Sequence, residues 1–261
     1  MQTNPLFEAV INNDEAAIRK LKNSAWANKT NELGYSPVEI AKLLNRTKAL
    51  VLLDRPLPFI PVKTVLQSGK TVFLDLHQLE STFKFKYLPY LTFDNYQHLQ
   101  FAASNYPRLF RWRWLTWDNH QWGEKYREQF FTCSQVNVSI EWINKEIGYG
   151  AFMQEALPAD SFVMEYTGHF RPYSQEETIF QNAYCFQYPM RNSVSGIYVV
   201  DSLTGGNLSR FINHATKPTL KALCAFDRGL IHIVLITTRA IEKGEELTFD
   251  YGRDYWQRRN N

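Results

Sequence analysis

The spacing of hydrophobic and polar positions changes about halfway along the chain. Residues 1–54 read as helical. Asn4-Pro5-Leu6-Phe7-Glu8-Ala9-Val10 opens one segment, and Gly34-Tyr35-Ser36-Pro37-Val38-Glu39-Ile40-Ala41 opens another. In each, an N-cap residue (Asn4, Ser36) precedes a proline at the first helical position, where its missing N–H costs nothing. A second short amphipathic stretch follows each opening, over 14–22 and 46–53. From about residue 132 the period becomes two: Val136, Val138, Ile140 and Trp142 alternate with polar residues, as in a half-buried strand. Residues 162–166 and 231–236 read as further strands. Asp227-Arg228-Gly229 reads as a hairpin turn between strands at 222–226 and 231–236. Ser174-Gln175-Glu176-Glu177 has the form of a capping box and predicts a short helix. Many short strands with few helices imply an α+β protein of small sheets around a compact core.

Between the two regimes, Arg55-Pro56-Leu57-Pro58-Phe59-Ile60-Pro61 is a proline-rich connector, and 71–76 reads as a short strand. Trp112, Trp114, Trp117 and Trp122 then interleave with Arg108, Arg111 and Arg113. Such a segment suits either a nucleic-acid surface or a packing layer with arginines at its edge. The basic charge is local and the rings are dense, so a packing layer is expected and direct nucleic-acid binding is not.

Composition narrows the class. At 261 residues, with 44% hydrophobic and 21% charged, the chain can bury a real core and is not of disordered type. A net charge of +3 is too mild to specify a partner. Cys133, Cys185 and Cys224 are scattered, with no CxxC or Cys/His cluster, so no metal site and no disulfide framework are expected; reduced thiols in a cytosol-like compartment fit better. No run of about 18 apolar residues predicts a membrane span. Met1-Gln2-Thr3-Asn4-Pro5 lacks the basic and then apolar pattern of a secretory signal. The expected location is the cytoplasm of the producing cell. Delivery into a host cell and its nucleus by specialised secretion, which leaves no such mark, stays open.

The chemistry sits in four motifs: Gly148-Tyr149-Gly150, Glu165-Tyr166-Thr167-Gly168, a stretch over 201–214 that ends in Arg210-Phe211-Ile212-Asn213-His214, and Glu245-Glu246-Leu247-Thr248-Phe249-Asp250-Tyr251-Gly252. Glycines let the backbone approach a ligand closely. Asparagine offers a buried amide donor and acceptor, and tyrosine offers an aromatic wall tipped with a hydroxyl. In this order the motifs resemble the SET-domain family of protein lysine methyltransferases, over about 132–256. The resemblance implies a β-clip fold with a pseudoknot and S-adenosyl-L-methionine as cofactor. It implies cofactor contacts from Gly148, Tyr149, Gly150, Arg210, Phe211, Asn213 and His214. It makes Tyr251 the catalytic tyrosine, with Phe249, Tyr166 and Tyr184 lining a lysine channel. Phe249, where a hydroxyl would hold water against the lysine nitrogen, implies di- or trimethylation. Trp256 is expected to stack on adenine.

The family's Ser-Cys after the histidine is Ala215-Thr216 here, its asparagine after Pro218 is Thr219, and no cysteine follows Tyr251, so the zinc-bearing tail is absent. Pro5 and Pro37 stand 32 positions apart, near the ankyrin period of about 33, and residues 1–54 resemble two degenerate ankyrin repeats, implying protein docking. The resulting organisation is 1–54 repeats, 55–131 connector and aromatic-rich region, 132–256 methyltransferase domain and 257–261 tail. Ankyrin-like repeats joined to a compact SET domain without zinc segments resemble bacterial, chlamydia-like SET proteins. The implied partner is a histone or a bacterial histone-like protein. A catalytically degenerate SET and ankyrin binding module is the alternative.

Overall fold

The structure is a computed structural model and describes residues 4–104, 115–173, 182–192, 196–253 and 255–256, with side chains 191 and 192 left aside. The helix start expected at 174–177, and Arg108, Arg111, Arg113, Trp112 and Trp114, lie outside the described residues.

Four short helices open the chain: α1 Pro5–Ile11, α2 Glu15–Leu21, α3 Pro37–Leu43 and α4 Thr47–Leu52. Asn4 caps α1, its side chain accepting from the Leu6 N–H at 3.0 Å. Ser36 and Glu39 form a complete capping box on α3. Helix α1 packs on α2 and α3, while α4 packs on α2 and α3, giving two stacked pairs. Six or seven residues do not make a stable helix in water. These four persist because Leu6, Ile18, Ile40 and Leu50 are fully buried in one cluster that also takes in Tyr90, Phe170, Tyr188, Phe226 and Ile231 of the later chain. The N-terminal helices and the β region therefore share a core.

Strands β1 Val62–Val65 and β2 Thr71–Leu74 come next, then α5 Leu76–Phe83, β3 Lys86–Tyr87, α6 Tyr96–Ser104 and α7 Trp117–Thr132. The strand expected over 71–76 stops at Leu74 because Asp75 caps α5: its carboxylate accepts from the Gln78 N–H at 2.8 Å. The packing-layer expectation holds for Trp122, which stacks on Tyr126 at 5.8 Å on the face of α7. It fails for Trp117, which is 71% exposed at the helix start.

The rest is β: β4 Val138–Asn144, β5 Gly148–Met153, β6 Phe162–Tyr166, β7 His169–Pro172, β8 Cys185–Asn192, β9 Gly196–Asp201 and β10 Gly205–Gly206. A 3-10 turn Leu208–Phe211 leads into β11 Asn213–His214, β12 Leu220–Asp227, β13 Leu230–Thr237 and β14 Thr248–Phe249. Three small sheets, ordered β2-β1-β4-β5, β12-β13-β6 and β7-β9-β8, join the pairs β10-β3 and β11-β14. The hairpin between β12 and β13 turns at Arg228 and Gly229, both with positive φ, as a tight primed turn requires.

That hairpin tip is also where the helical pairs are fastened. The Arg228 guanidinium donates to Glu39 at 2.7 Å, to the Gly34 carbonyl at 2.9 Å and to Asp227 at 2.7 Å, over the face of Tyr35. Arg127 of α7 reaches the other oxygen of Asp227 at 2.8 Å.

Candidate functional site

The geometry of the site starts from a parallel pairing of two remote segments. In β11 and β14, Asn213 faces Thr248 and His214 faces Phe249. The Ala215 N–H continues the pairing to the Phe249 carbonyl at 3.3 Å. Thr219 holds β14 in register: its hydroxyl accepts from the Thr248 N–H at 2.8 Å, and its own N–H donates to the Thr248 hydroxyl at 3.2 Å. The threonine at this position is thus engaged in the pairing of the two segments.

Beside this pairing opens a cavity of about 550 Å³. Its lining includes Gly148, Tyr149, Arg210, Phe211 and Asn213, together with Tyr166, Tyr184, Phe249 and Tyr251. Of the residues singled out from the sequence, those nine meet here. Gly150, His214 and Trp256 are not among the lining residues, and each has a different place. A β-carbon on Gly150 would come within 2.9 Å of Glu246 and 3.1 Å of the Asn213 amide nitrogen, so this glycine makes room for their contact. His214 supports Tyr251 from behind. Trp256, half-exposed, sets its ring edge-on to His214 at 4.8 Å, and it is Tyr255 that reaches the cavity.

Each polar group in the wall has a defined orientation. The Asn213 amide donates to Glu246 Oε1 at 3.0 Å and to the Tyr149 carbonyl at 3.3 Å, which ties the Gly148 turn to β11. The Tyr251 hydroxyl donates to the Ile212 carbonyl at 3.0 Å. Its backbone N–H donates to His214 Nδ1 at 3.2 Å. The same nitrogen lies 3.6 Å from Asp250 Oδ1. The Tyr166 hydroxyl donates to the Tyr184 carbonyl at 2.6 Å, and burial pushes its pKa well up, so it stays a neutral phenol.

Aromatic rings run through the site from Tyr166 to Phe186 at 5.3 Å, Phe186 to Phe249 at 6.1 Å, Phe249 to Tyr251 at 4.8 Å and Tyr251 to Tyr255 at 4.7 Å. Arg210 lies over Phe85 at 4.3 Å and Tyr184 at 4.7 Å. Its Nη2 donates to the Leu203 carbonyl at 3.2 Å, while Nε and Nη1 are buried without a partner among the described residues. Burial holds this guanidinium below its usual pKa. Gly148 has φ of +82°, and nothing stands within 4 Å of where a β-carbon would be, which leaves its backbone open to the cavity.

Sequence reasoning missed Phe83, Phe186, Tyr255 and Glu246. Phe186 was within reach, since it follows Tyr184 by two positions on a strand-like run and shares its face. Glu246 stands in the last motif, but only the fold shows that it holds Asn213. No local pattern marks Phe83.

Residues 148–252 match the family described as SET domain. The chain is 34% identical over 116 residues to histone-lysine N-methyltransferase EHMT1 of Homo sapiens, covering 43% of this chain and 9% of that protein. It is 37% identical over 114 residues to histone-lysine N-methyltransferase SUV39H1 of Xenopus laevis, covering 40% of this chain and 26% of that protein. Among solved structures, KRYPTONITE in complex with mCHH DNA, H3(1-15) peptide and SAH overlaps 45% of this chain and 24% of its own at a TM-score of 0.38 and 29% identity. The match to the SET domain is confined to residues 148–252, and the chain spans only a small part of the length of the first curated relatives it matches.

Proposed function

We propose that this chain is an S-adenosylmethionine-dependent protein-lysine N-methyltransferase acting on a histone or a histone-like protein. One observation carries the reading. Asn213 and Tyr251, from the two paired segments, meet at a single cavity whose lining combines backbone and polar donors with aromatic rings. The proteins named above as histone-lysine methyltransferases support the substrate class.

The residues fit the cofactor. The open backbone at Gly148, the Asn213 amide fixed by Glu246, and Arg210 with two buried donors short of acceptors offer a polar cradle. Tyr149 and Phe211 complete it. When bound, S-adenosylmethionine supplies a methyl group on a sulfonium centre. The protein's task is to present a neutral lysine nitrogen in line with that group. Near pH 7 only about one free lysine in 2,500 is neutral. Tyr166, Phe186, Phe249 and Tyr251 take the side chain out of water and so disfavour the ammonium form. Their ring faces also tolerate a methylated cation. No carboxylate or imidazole lines the cavity among the described residues, so desolvation and alignment, rather than a general base, are assigned the work. Tyr251, its hydroxyl fixed on the Ile212 carbonyl, forms the wall where the lysine nitrogen must stop. Phe249 leaves room beside that nitrogen, and di- or trimethyl-lysine is the proposed product.

Residues 1–54 are proposed to act as an ankyrin-like docking surface, joined to the β region through Arg228. Their 32-residue spacing and stacked helical pairs support this. They also support a bacterial protein whose targets are host histones or bacterial DNA-compacting proteins. A degenerate binding module is disfavoured, because the changes at Ala215, Thr216 and Thr219 leave Asn213 and Tyr251 assembled.

Labelled-methyl transfer to a panel of histones and bacterial DNA-compacting proteins, with site mapping, tests the proposal. Label on lysine is expected. No label on any of them, with no calorimetric binding of S-adenosylmethionine, rejects it in favour of the binding module.

A further inference from the structure

The wall of the cavity includes a side chain from far outside the matched domain. Phe83 is the last residue of α5, well before residue 148 where the family match begins. Its ring lies edge-on to Tyr149 at 5.0 Å and to Phe211 at 4.8 Å, and it lines the cavity. Both neighbours are among the residues proposed to hold the cofactor.

The placement is fixed from both directions. Lys84 closes α5 in the left-handed conformation, at φ of +53°, and its N–H returns to the Glu80 carbonyl. The chain then enters β3, which pairs with β10. The Lys86 N–H bonds the Thr204 carbonyl at 2.8 Å, and Glu80 accepts from the Tyr87 N–H at 3.0 Å. Phe85, two residues on, is buried beneath the Arg210 guanidinium. A turn tied at so many points presents Phe83 at little cost in ordering. A pre-positioned phenyl ring with part of its surface free is a suitable partner for a flat heteroaromatic group.

We propose that Phe83 is a cofactor-binding residue, forming a wall against which the purine base of S-adenosylmethionine packs. This rests on the methyltransferase reading and extends the cofactor site into the region before the SET domain. It also assigns that region a function beyond connection.

The test is calorimetric and needs no turnover. S-adenosylhomocysteine and adenosine are each titrated into the full chain, into Phe83→Leu, which keeps apolar bulk but removes the ring, and into Phe83→Trp. Base-on-ring contact is worth about 1–3 kcal/mol. Phe83→Leu is therefore expected to weaken S-adenosylhomocysteine about tenfold and adenosine by a similar factor, while Phe83→Trp retains binding and both variants keep the parent melting temperature within a few degrees. Unchanged affinity of Phe83→Leu for S-adenosylhomocysteine, with normal binding by the parent chain, overturns this inference and leaves the methyltransferase reading intact. Absence of S-adenosylhomocysteine binding by the parent chain overturns both.

Discussion

The Tyr251 hydroxyl donates to the carbonyl of Ile212, 39 positions earlier in the chain, at 3.0 Å. That bond, together with the Tyr251 N–H on His214, joins the last motif to the Asn-His motif at the site where the chemistry is assigned. Tyr251→Phe removes the hydroxyl and keeps the ring contacts with Phe249 and Tyr255. Losing one oriented donor in a reacting site costs about 100-fold in turnover or more. Single-turnover methyl transfer should fall by that order, while S-adenosylhomocysteine affinity, measured by calorimetry, should stay within about threefold. Unchanged turnover removes Tyr251 from the reaction.

Phe249 is 7% exposed, between Phe186 and Tyr251. A hydroxyl at this ring's tip would need a partner, and a water held there would occupy the space a second methyl group requires. Phe249→Tyr is expected to shift the product from di- and trimethyl-lysine to monomethyl-lysine. Intact-mass analysis of the modified substrate reads this, and an unaltered distribution removes Phe249 from product control.

Gly150 makes room for the Asn213–Glu246 contact, and a β-carbon there would also meet Ile143 at 2.7 Å. Gly150→Ala should lower stability by about 1–3 kcal/mol, in the range of overpacking. It should also weaken S-adenosylhomocysteine binding, because the Asn213 amide must move. Glu246→Ala leaves the glycine's space free and should reproduce the loss of affinity without the overpacking. Normal affinity in Glu246→Ala would show that Asn213 needs no such support.

The two ends of the molecule were legible in the sequence to different degrees. Asn4, Ser36, Pro5 and Pro37 announced α1 and α3 because capping is a local matter of side chain on backbone. The hairpin at Arg228-Gly229 was announced in the same way. Tyr251, Phe249 and Asn213 were found through motif order, and nine of the candidate residues do share one cavity. What escaped was long-range. Nothing local says that Glu246 will reach Asn213, that Phe83 will meet Tyr149, or that Tyr255 rather than Trp256 will face the cavity. The strand expected over 71–76 was cut short by Asp75, whose capping potential was overlooked in favour of the hydrophobic run.

Arg228 has its three hydrogen-bonding partners on two parts of the fold, and Asp227 is fully buried beneath it. Arg228→Met removes the charge shared by Asp227 and Glu39 and leaves Arg127 on Asp227. Breaking a buried pair on one side costs about 3–5 kcal/mol. Because Arg228 is partly exposed, about 2–3 kcal/mol is expected, read by urea denaturation. Protease cutting within 1–54 should rise in parallel. A change below about 0.5 kcal/mol would mean that the shared apolar core alone holds the helices.

The most direct measurement is a crystal structure of the full chain with S-adenosylhomocysteine and a lysine-containing histone peptide. The expected result places the nucleoside between Phe83, Tyr149 and Asn213, with the lysine side chain entering among Tyr166, Phe249 and Tyr251 so that its nitrogen points at the sulfur. Density for the nucleoside elsewhere on the protein, or a lysine that stays outside the aromatic wall, would contradict the account.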